Sequence, residues 1–270
     1  MNNGEKSPAQ GNILDKIVVK KWQEIGIAKA DISIKSLEES EFFSRSCYSM
    51  REFILNPSLT GIIAEFKRKS PSKGIINDRN TVEEVTNGYV AAGASALSVL
   101  TDEGFFGGHK NDLMAARKSN DIPILRKDFM LDEFQIIEAK SLGADIILLI
   151  AAILSPAEVQ KLARCAKGLG LNVLLEVHNL EELNRSLCDE LDAVGVNNRN
   201  LGNFSVSVQH SYDLAEHIPS QFLKISESGI SDPKTIRDLK KAGFDGFLIG
   251  ENFMKEANPG EAMKLFVSEI

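Results

Sequence analysis

Beyond residue 61 the chain repeats one pattern: a short apolar run, a turn, an amphipathic stretch, then another apolar run. The runs are Ile62-Ile63-Ala64, Ala96–Leu100, Pro123–Leu125, Asp145–Ile150, Val173–Val177, Ala193–Val196, Leu223–Ile225 and Gly246–Ile249. Runs of this length, bounded by turn residues, read as buried strands. Between them, stretches such as Glu133–Leu142 and Pro156–Leu169 carry apolar residues at helical spacing. Three helix-to-strand junctions share one form, with Gly93, Gly143 and Gly243 just before the next apolar run. Glycine there suits the left-handed residue that ends a helix. Eight strand–helix units in about 210 residues predict a closed, parallel (β/α)8 barrel of the α/β class. An open doubly wound sheet is the competitor, but it usually has fewer strands, and no GxGxxG follows a strand here.

The residues before the first strand read differently. Residues 1–12 are polar, with Gly4, Pro8 and Gly11, and predict a disordered leader. From Ile13 the spacing of Leu14, Ile17, Val18, Trp22 and Ile25 predicts a helix, with Asn12 placed to cap it. A second helical stretch is expected around Ile34 to Phe53. The expected organisation is one domain over residues 13–270, in which 13–61 form an N-terminal helical cap.

Composition narrows the function classes. The 270 residues are 43% hydrophobic, enough for a large core, and carry a net charge of -7. That balance gives no general attraction to nucleic acid or an anionic membrane, so any bound anion must be held by local groups. Cys47, Cys165 and Cys188 are odd in number and widely spaced, which suits a reducing cytoplasm and small buried side chains. No apolar stretch approaches a membrane span, and the start, MNNGEKSPAQGN, lacks a signal peptide's apolar region. A cytoplasmic protein is expected. The four histidines show no metal-binding spacing, so no metal and no cofactor is expected, and His178 is retained only as a minor candidate.

In parallel barrels the reacting groups lie at the C-terminal ends of the strands. Here those ends are charged or amide-bearing. Strand one runs into Glu65 and Lys67, which share a face because side chains alternate. Strand three ends in Arg126-Lys127-Asp128-Phe129, with Lys127 on the face of Leu125 and Asp128 on the other. Strand five ends in Glu176 and His178, strand six in Asn197, and strand seven in Glu227-Ser228-Gly229. Strand eight ends in Gly250-Glu251. Each taken alone has a bland account: a structural ion pair, a rim charge, a tight turn. Their convergence at one end of a barrel is what a catalytic pocket requires. The glycines after strands seven and eight stand where such barrels often bind phosphate through main-chain amides, and Lys69 and Ser70 can add a charge and a hydroxyl.

IIAEFKRKSPSKG, SVLTDEGFFGG, ILRKDF, LLEVHN, VNNRNL, SESGI and FLIG occur in this order. The chain thereby resembles the indole-3-glycerol phosphate synthase family of tryptophan biosynthesis over nearly its whole length from Ile13. That resemblance implies a (β/α)8 barrel with an N-terminal helical extension over the mouth. It implies closure of the pyrrole ring of 1-(2-carboxyphenylamino)-1-deoxyribulose 5-phosphate with loss of carbon dioxide and water. By the same resemblance Lys127 is the general acid and Glu176 the general base, while Lys67 pairs with the substrate carboxylate and is a second candidate donor. Glu65, Asn197 and Glu227 orient the lysines and sugar hydroxyls. Ser70, Gly229, Gly250 and the amide of Glu251 form the phosphate cradle with Lys69 nearby, and Phe105, Phe129 and Leu201 flank the aromatic ring. Two departures stand out: Gly202-Asn203 replace the Lys-Thr of many members, and Glu251 stands where others have serine. A carboxylate there repels phosphate, so its side chain is expected to point away. Burial and neighbouring positive charge are expected to lower the pKa of a catalytic lysine. Two other readings stay open, a Schiff-base barrel using Lys127 or Lys67 as nucleophile and a non-catalytic sugar-phosphate binder. Association with other enzymes of the pathway is also left open.

Overall fold

The computed structural model describes residues 13–200 and 204–270. The expected leader, the Asn12 cap, Leu201 and Gly202-Asn203 lie outside the described residues.

The barrel strands are β1 (Ile62–Phe66), β2 (Ala96–Leu100), β3 (Ile124–Lys127), β4 (Ile146–Ile150), β5 (Asn172–Val177), β6 (Ala193–Asn197), β7 (Leu223–Glu227) and β8 (Gly246–Ile249). Each pairs in parallel with the next, and β1 pairs with both β2 and β8, which closes the ring. Alternation then sorts the side chains into two layers. Ile63, Leu125, Leu148, Leu174, Ile225 and Leu248 pack together inside. Ile62, Phe66, Val99, Ile147, Val173 and Phe247 pack outward into the layer shared with the helices. Fully burying one such side chain contributes roughly 1.5–3 kcal/mol, so these two layers hold the fold.

Four strands run further than their apolar runs predict. β3, β6 and β7 extend through Arg126-Lys127, Asn197 and Ser226-Glu227, and β1 through Glu65-Phe66, because the ladder continues: Leu100 aligns with Lys127, and Asn197 with Glu227. The last position of a strand is where hydrophobicity stops being the selecting property. At the helix-to-strand junctions Gly93, Gly143 and Gly243 all sit near φ 90°, as that shared motif requires.

The residues before β1 divide between the two ends of the barrel. Helix α1 (Ile13–Asp31) lies at the mouth, where Leu14 and Ile17 join the interior cluster. The expected second helix is instead two short ones, α2 (Ile34–Glu38) and α3 (Met50–Ile54), capped by Ser33 and Ser49. Between them the chain is tied to the strand starts. Arg45 and the Tyr48 amide bind Asp145 just before β4, and Asn172 at the start of β5 bonds to Tyr48 and Met50. Those bonds hold residues 45–48 out of helical geometry and seat Met50 and Ile54 in the barrel floor.

The remaining helices are α4 (Val82–Ala91), α5 (Glu103–Phe106), α6 (Lys110–Ser119), α7 (Glu133–Ser141), α8 (Pro156–Gly168), α9 (Leu180–Ser186), α10 (Gln209–Ala215), α11 (Pro233–Lys241), α12 (Glu251–Met254) and α13 (Pro259–Val267). Thr81, Asp132 and Ser155 close capping boxes at α4, α7 and α8. No helix among the described residues is long and apolar enough to cross a membrane. The three cysteines are half-buried and unpaired rather than fully buried.

Candidate active site

The site grows out of alternation at the ends of five strands. On β3, Leu125 and Lys127 face inward, while Arg126 and Asp128 face out. The Lys127 ammonium donates to Glu176 Oε2 at 2.8 Å and to Glu227 Oε2 at 3.0 Å, so it bridges the ends of β5 and β7. Glu176 Oε1 accepts from Asn197 Nδ2 on β6 at 3.0 Å, and His178 Nε2 lies 3.5 Å from the same oxygen. A second pair stands beside the first: Lys67 donates to Glu65 Oε1 at 2.6 Å, and Ser98 to Glu65 Oε2 at 3.4 Å. Room for these carboxylates comes from two missing side chains. A Cβ at Gly195 would lie 2.1 Å from Glu227 Oε1, and one at Gly250 2.5 Å from Glu65 Oε1.

Three carboxylates (Glu65, Glu176, Glu227) here share two lysines, all buried or nearly so, and the proton affinities separate accordingly. Burial opposes the charge on Lys127, but Glu176, Glu227 and Glu65 outweigh it and hold the ammonium above the ordinary lysine range. This corrects the expected downward shift. The neighbours are carboxylates, not cations. Burial likewise opposes ionisation of Glu176, yet Lys127, His178 and the bonds from Lys127 and Asn197 hold it down at about 2. Glu227 goes the other way: burial, with Glu176 and Glu65 close by, pushes it up to about 7 despite Lys127. One cation between two buried carboxylates leaves one ionised and the other able to keep a proton. His178 is raised, burial being overcome by Glu182 and Glu176.

Above these groups lies a cavity of about 150 Å³ lined by Leu14 and Ile17 of α1, by Phe106, Phe129 and Phe204, and by Glu65, Lys67, Lys127, Glu176, Asn197 and Glu227. It continues into a wider one of about 500 Å³ lined by Lys73, Arg199, Ser228, Gly229, Gly250, Glu251 and Lys255. Ser228 sits at φ 70°, a conformation uncommon outside glycine, and its carbonyl accepts from Asn198. Backbone strain of this kind concentrates at functional sites. No group of three or more His, Cys, Asp or Glu arranged to hold a metal occurs among the described residues.

A family model described as indole-3-glycerol phosphate synthase matches residues 14–266. The chain belongs to the indole-3-glycerol phosphate synthase family. An indole-3-glycerol phosphate synthase of Bacteroides thetaiotaomicron is 49% identical over 259 residues, covering 96% of this chain and 99% of that one. One from Variovorax paradoxus is 40% identical over 259 residues, covering 93% and 97%. Among solved structures, 3-hexulose-6-phosphate synthase from Salmonella typhimurium superposes with a TM-score of 0.60 at 13% identity, over 78% of this chain and 99% of that one. That last likeness concerns the barrel alone.

Within this indole-3-glycerol phosphate synthase fold, the six residues expected to be catalytic line one cavity, and Ser70, Ser228 and Phe129 line it too. Gly229 and Gly250 face the wider cavity. Lys69 and Phe105 line neither. The Lys69 ammonium instead donates to the Gly104 carbonyl at 2.9 Å, and Phe106 rather than Phe105 faces the cavity, 6.0 Å from the Phe129 ring. Asp128 pairs with Lys21 and Arg126, not with Lys127. The Glu251 side chain does not point away: it lines both cavities, with Oε2 3.4 Å from Arg199 and Oε1 3.8 Å from Lys73. Arg199, Lys73, Phe204, Leu14 and Ile17 were not picked out from the sequence as site residues. The motifs RKSPSK and NNRN held the two cations in plain view, but nothing in them says that the loops converge.

Proposed function

We propose that this cavity closes the pyrrole ring of 1-(2-carboxyphenylamino)-1-deoxyribulose 5-phosphate to give indole-3-glycerol phosphate, as the family does in tryptophan biosynthesis. The observation that carries the assignment of roles is the Lys127 ammonium held between Glu176 and Glu227 at the closed end of the cavity. The ring carbon bearing the carboxylate attacks the ketone carbon, and Lys127 gives its proton to the ketone oxygen, which becomes a hydroxyl. Carbon dioxide then leaves, and its bonding electrons restore the aromatic ring. Loss of that hydroxyl as water needs one proton on the oxygen and removal of another from the methylene beside nitrogen. Glu176 takes the methylene proton once Lys127, having lost its own, no longer holds the carboxylate down. Lys67, 2.6 Å from Glu65, pairs with the substrate carboxylate before decarboxylation and stands as the second proton donor.

A charged, doubly hydrogen-bonded amine is a poor nucleophile, which favours proton transfer over Schiff-base chemistry. Apolar walls from Leu14, Ile17, Phe106, Phe129 and Phe204 suit the anthranilate ring, and the Ser228-Gly229 turn with Lys73 and Arg199 suits the phosphate. The partner is thus a small anionic molecule, and we place the reaction in the cytosol. Purified protein mixed with the carboxyphenylamino-deoxyribulose phosphate should develop indole fluorescence; none at any protein concentration would overturn the assignment. Borohydride added during turnover should leave the protein mass unchanged. A substrate-sized adduct on Lys127 or Lys67 would replace proton transfer by Schiff-base chemistry.

A further inference from the structure

The wider cavity already contains an anion of its own. Glu251, the first residue of α12, reaches in and takes the two cations that flank the opening. Its Oε2 is 3.4 Å from Arg199 Nη2, on the loop after β6, and its Oε1 is 3.8 Å from Lys73 Nζ, on the loop after β1. The other guanidinium nitrogen of Arg199 donates to Ser72 Oγ at 3.4 Å. Two loops therefore meet on one carboxylate at the start of α12, at distances that are long for charge-assisted bonds, which normally run about 2.7–2.9 Å. Glu251 and Arg199 remain partly open to solvent, and Lys73 is mostly exposed. Such long, partly exposed ion pairs contribute little to stability.

Resting on the phosphate reading of this cavity, we propose that Glu251 is an internal competitor for the substrate phosphate. It holds Arg199 and Lys73 in place over the open site and yields them when a dianion arrives. A phosphate monoester carries about 1.5–2 negative charges at neutral pH and three strong acceptor oxygens. It can satisfy both cations at shorter distance than one carboxylate does. A ligand without phosphate gains nothing by displacing Glu251, so the exchange lowers affinity for phosphorylated ligands and leaves that of other ligands nearly unchanged. The residual repulsion between Glu251 and bound phosphate acts in the same direction.

The test uses the full chain with inorganic phosphate as a competitive inhibitor and the phosphorylated substrate. Glu251→Gln keeps the shape and removes the charge; Glu251→Ala removes both. Both variants should lower KM and the phosphate inhibition constant together, by about threefold or more at low ionic strength. The gain should shrink as salt rises, because a partly exposed charge is screened. Unchanged or raised values of both constants in Glu251→Gln would overturn the proposal while leaving the phosphate site standing. Failure of inorganic phosphate to compete in the parent and in both variants would remove the phosphate reading and the proposal with it.

Discussion

Arg126 and Lys127 are adjacent on β3, both are largely buried, and each meets two carboxylates, yet the two networks differ in kind. On the outer face, Arg126 binds Asp128 and Glu138, Lys110 binds Glu138, and Lys21 of α1 binds Asp102 and Asp128. The rest of the Arg126 guanidinium goes to Thr101 and the Gln135 carbonyl. Three buried carboxylates there face three cations, and Lys21 also reaches the partly exposed Glu24. Burial opposes the ionisation of Asp128 and Glu138, but Arg126 with Lys21 or Lys110 overrides it, and both carboxyls titrate below their ordinary range. On the inner face two lysines serve three carboxylates; Glu227 Oε1 and His178 Nε2 are buried without hydrogen-bond partners among the described residues, and Glu227 is pushed up to about 7. The matched network fixes α1 and the loops after β2 and β3. The mismatched one pulls the proton affinities of Glu176 and Glu227 apart, the pattern by which a site separates acid from base roles.

The comparison can be broken most sharply from the inside. Glu176→Gln should lower turnover about 10²–10⁴-fold, the usual contribution of a general base, while the midpoint of urea unfolding moves little. Near-parental turnover in the folded variant would take Glu176 out of the mechanism. The outer face should respond the other way. Arg126→Met leaves Asp128 and Glu138 buried with one cation fewer, and breaking a buried pair costs about 3–5 kcal/mol. Urea unfolding should show that loss; a change below about 1 kcal/mol would mean that the outer network contributes little to stability.

Dependence on pH separates the two networks by sign. Asp128 and Glu138 have depressed folded pKa values, so their stabilisation is present above about pH 4 and is lost as pH falls through their folded values. Glu227 is raised from 4.5 to about 7, so the folded state holds that proton more tightly than the unfolded chain. Its contribution therefore falls as pH rises from 4.5 to about 7 and is lowest above 7. Tm measured across this window should decline less with rising pH in Glu227→Gln than in the parent; parallel curves would remove Glu227 as the titrating group. The smallest effect is expected at the seam between α1 and the outer network. Lys21→Met should cost about 1–3 kcal/mol by taking from the buried Asp102 and Asp128 the cation they share, with Lys21→Arg recovering most of it. Equal stability of the Met and Arg variants would show that the methylene stem, not the charge, docks the helix.

Much of this molecule was legible in one dimension. Eight apolar runs at regular spacing, with glycine at the junctions, dictated a closed parallel barrel, because strands buried on both faces must be apolar wherever they are not functional. Alternation alone placed Leu125 and Lys127 on one face and Asp128 on the other, and Glu65 with Lys67. The strand ends were harder to read, since charge interrupts the apolar run before the ladder stops. What only the tertiary structure decided was who pairs with whom. Lys127 meets Glu176 and Glu227, 49 and 100 residues away, and that pairing raises its proton affinity where a lysine among cations would have lowered it. Phe106 faces the cavity instead of Phe105, and Lys69 turns to a neighbouring loop. Glu251 swings inward because Arg199 and Lys73 await it, although their loops lie 52 and 178 residues away along the chain. Periodicity is a local property that repeats along the chain, whereas electrostatic partnership depends on distances that exist only after the barrel has closed.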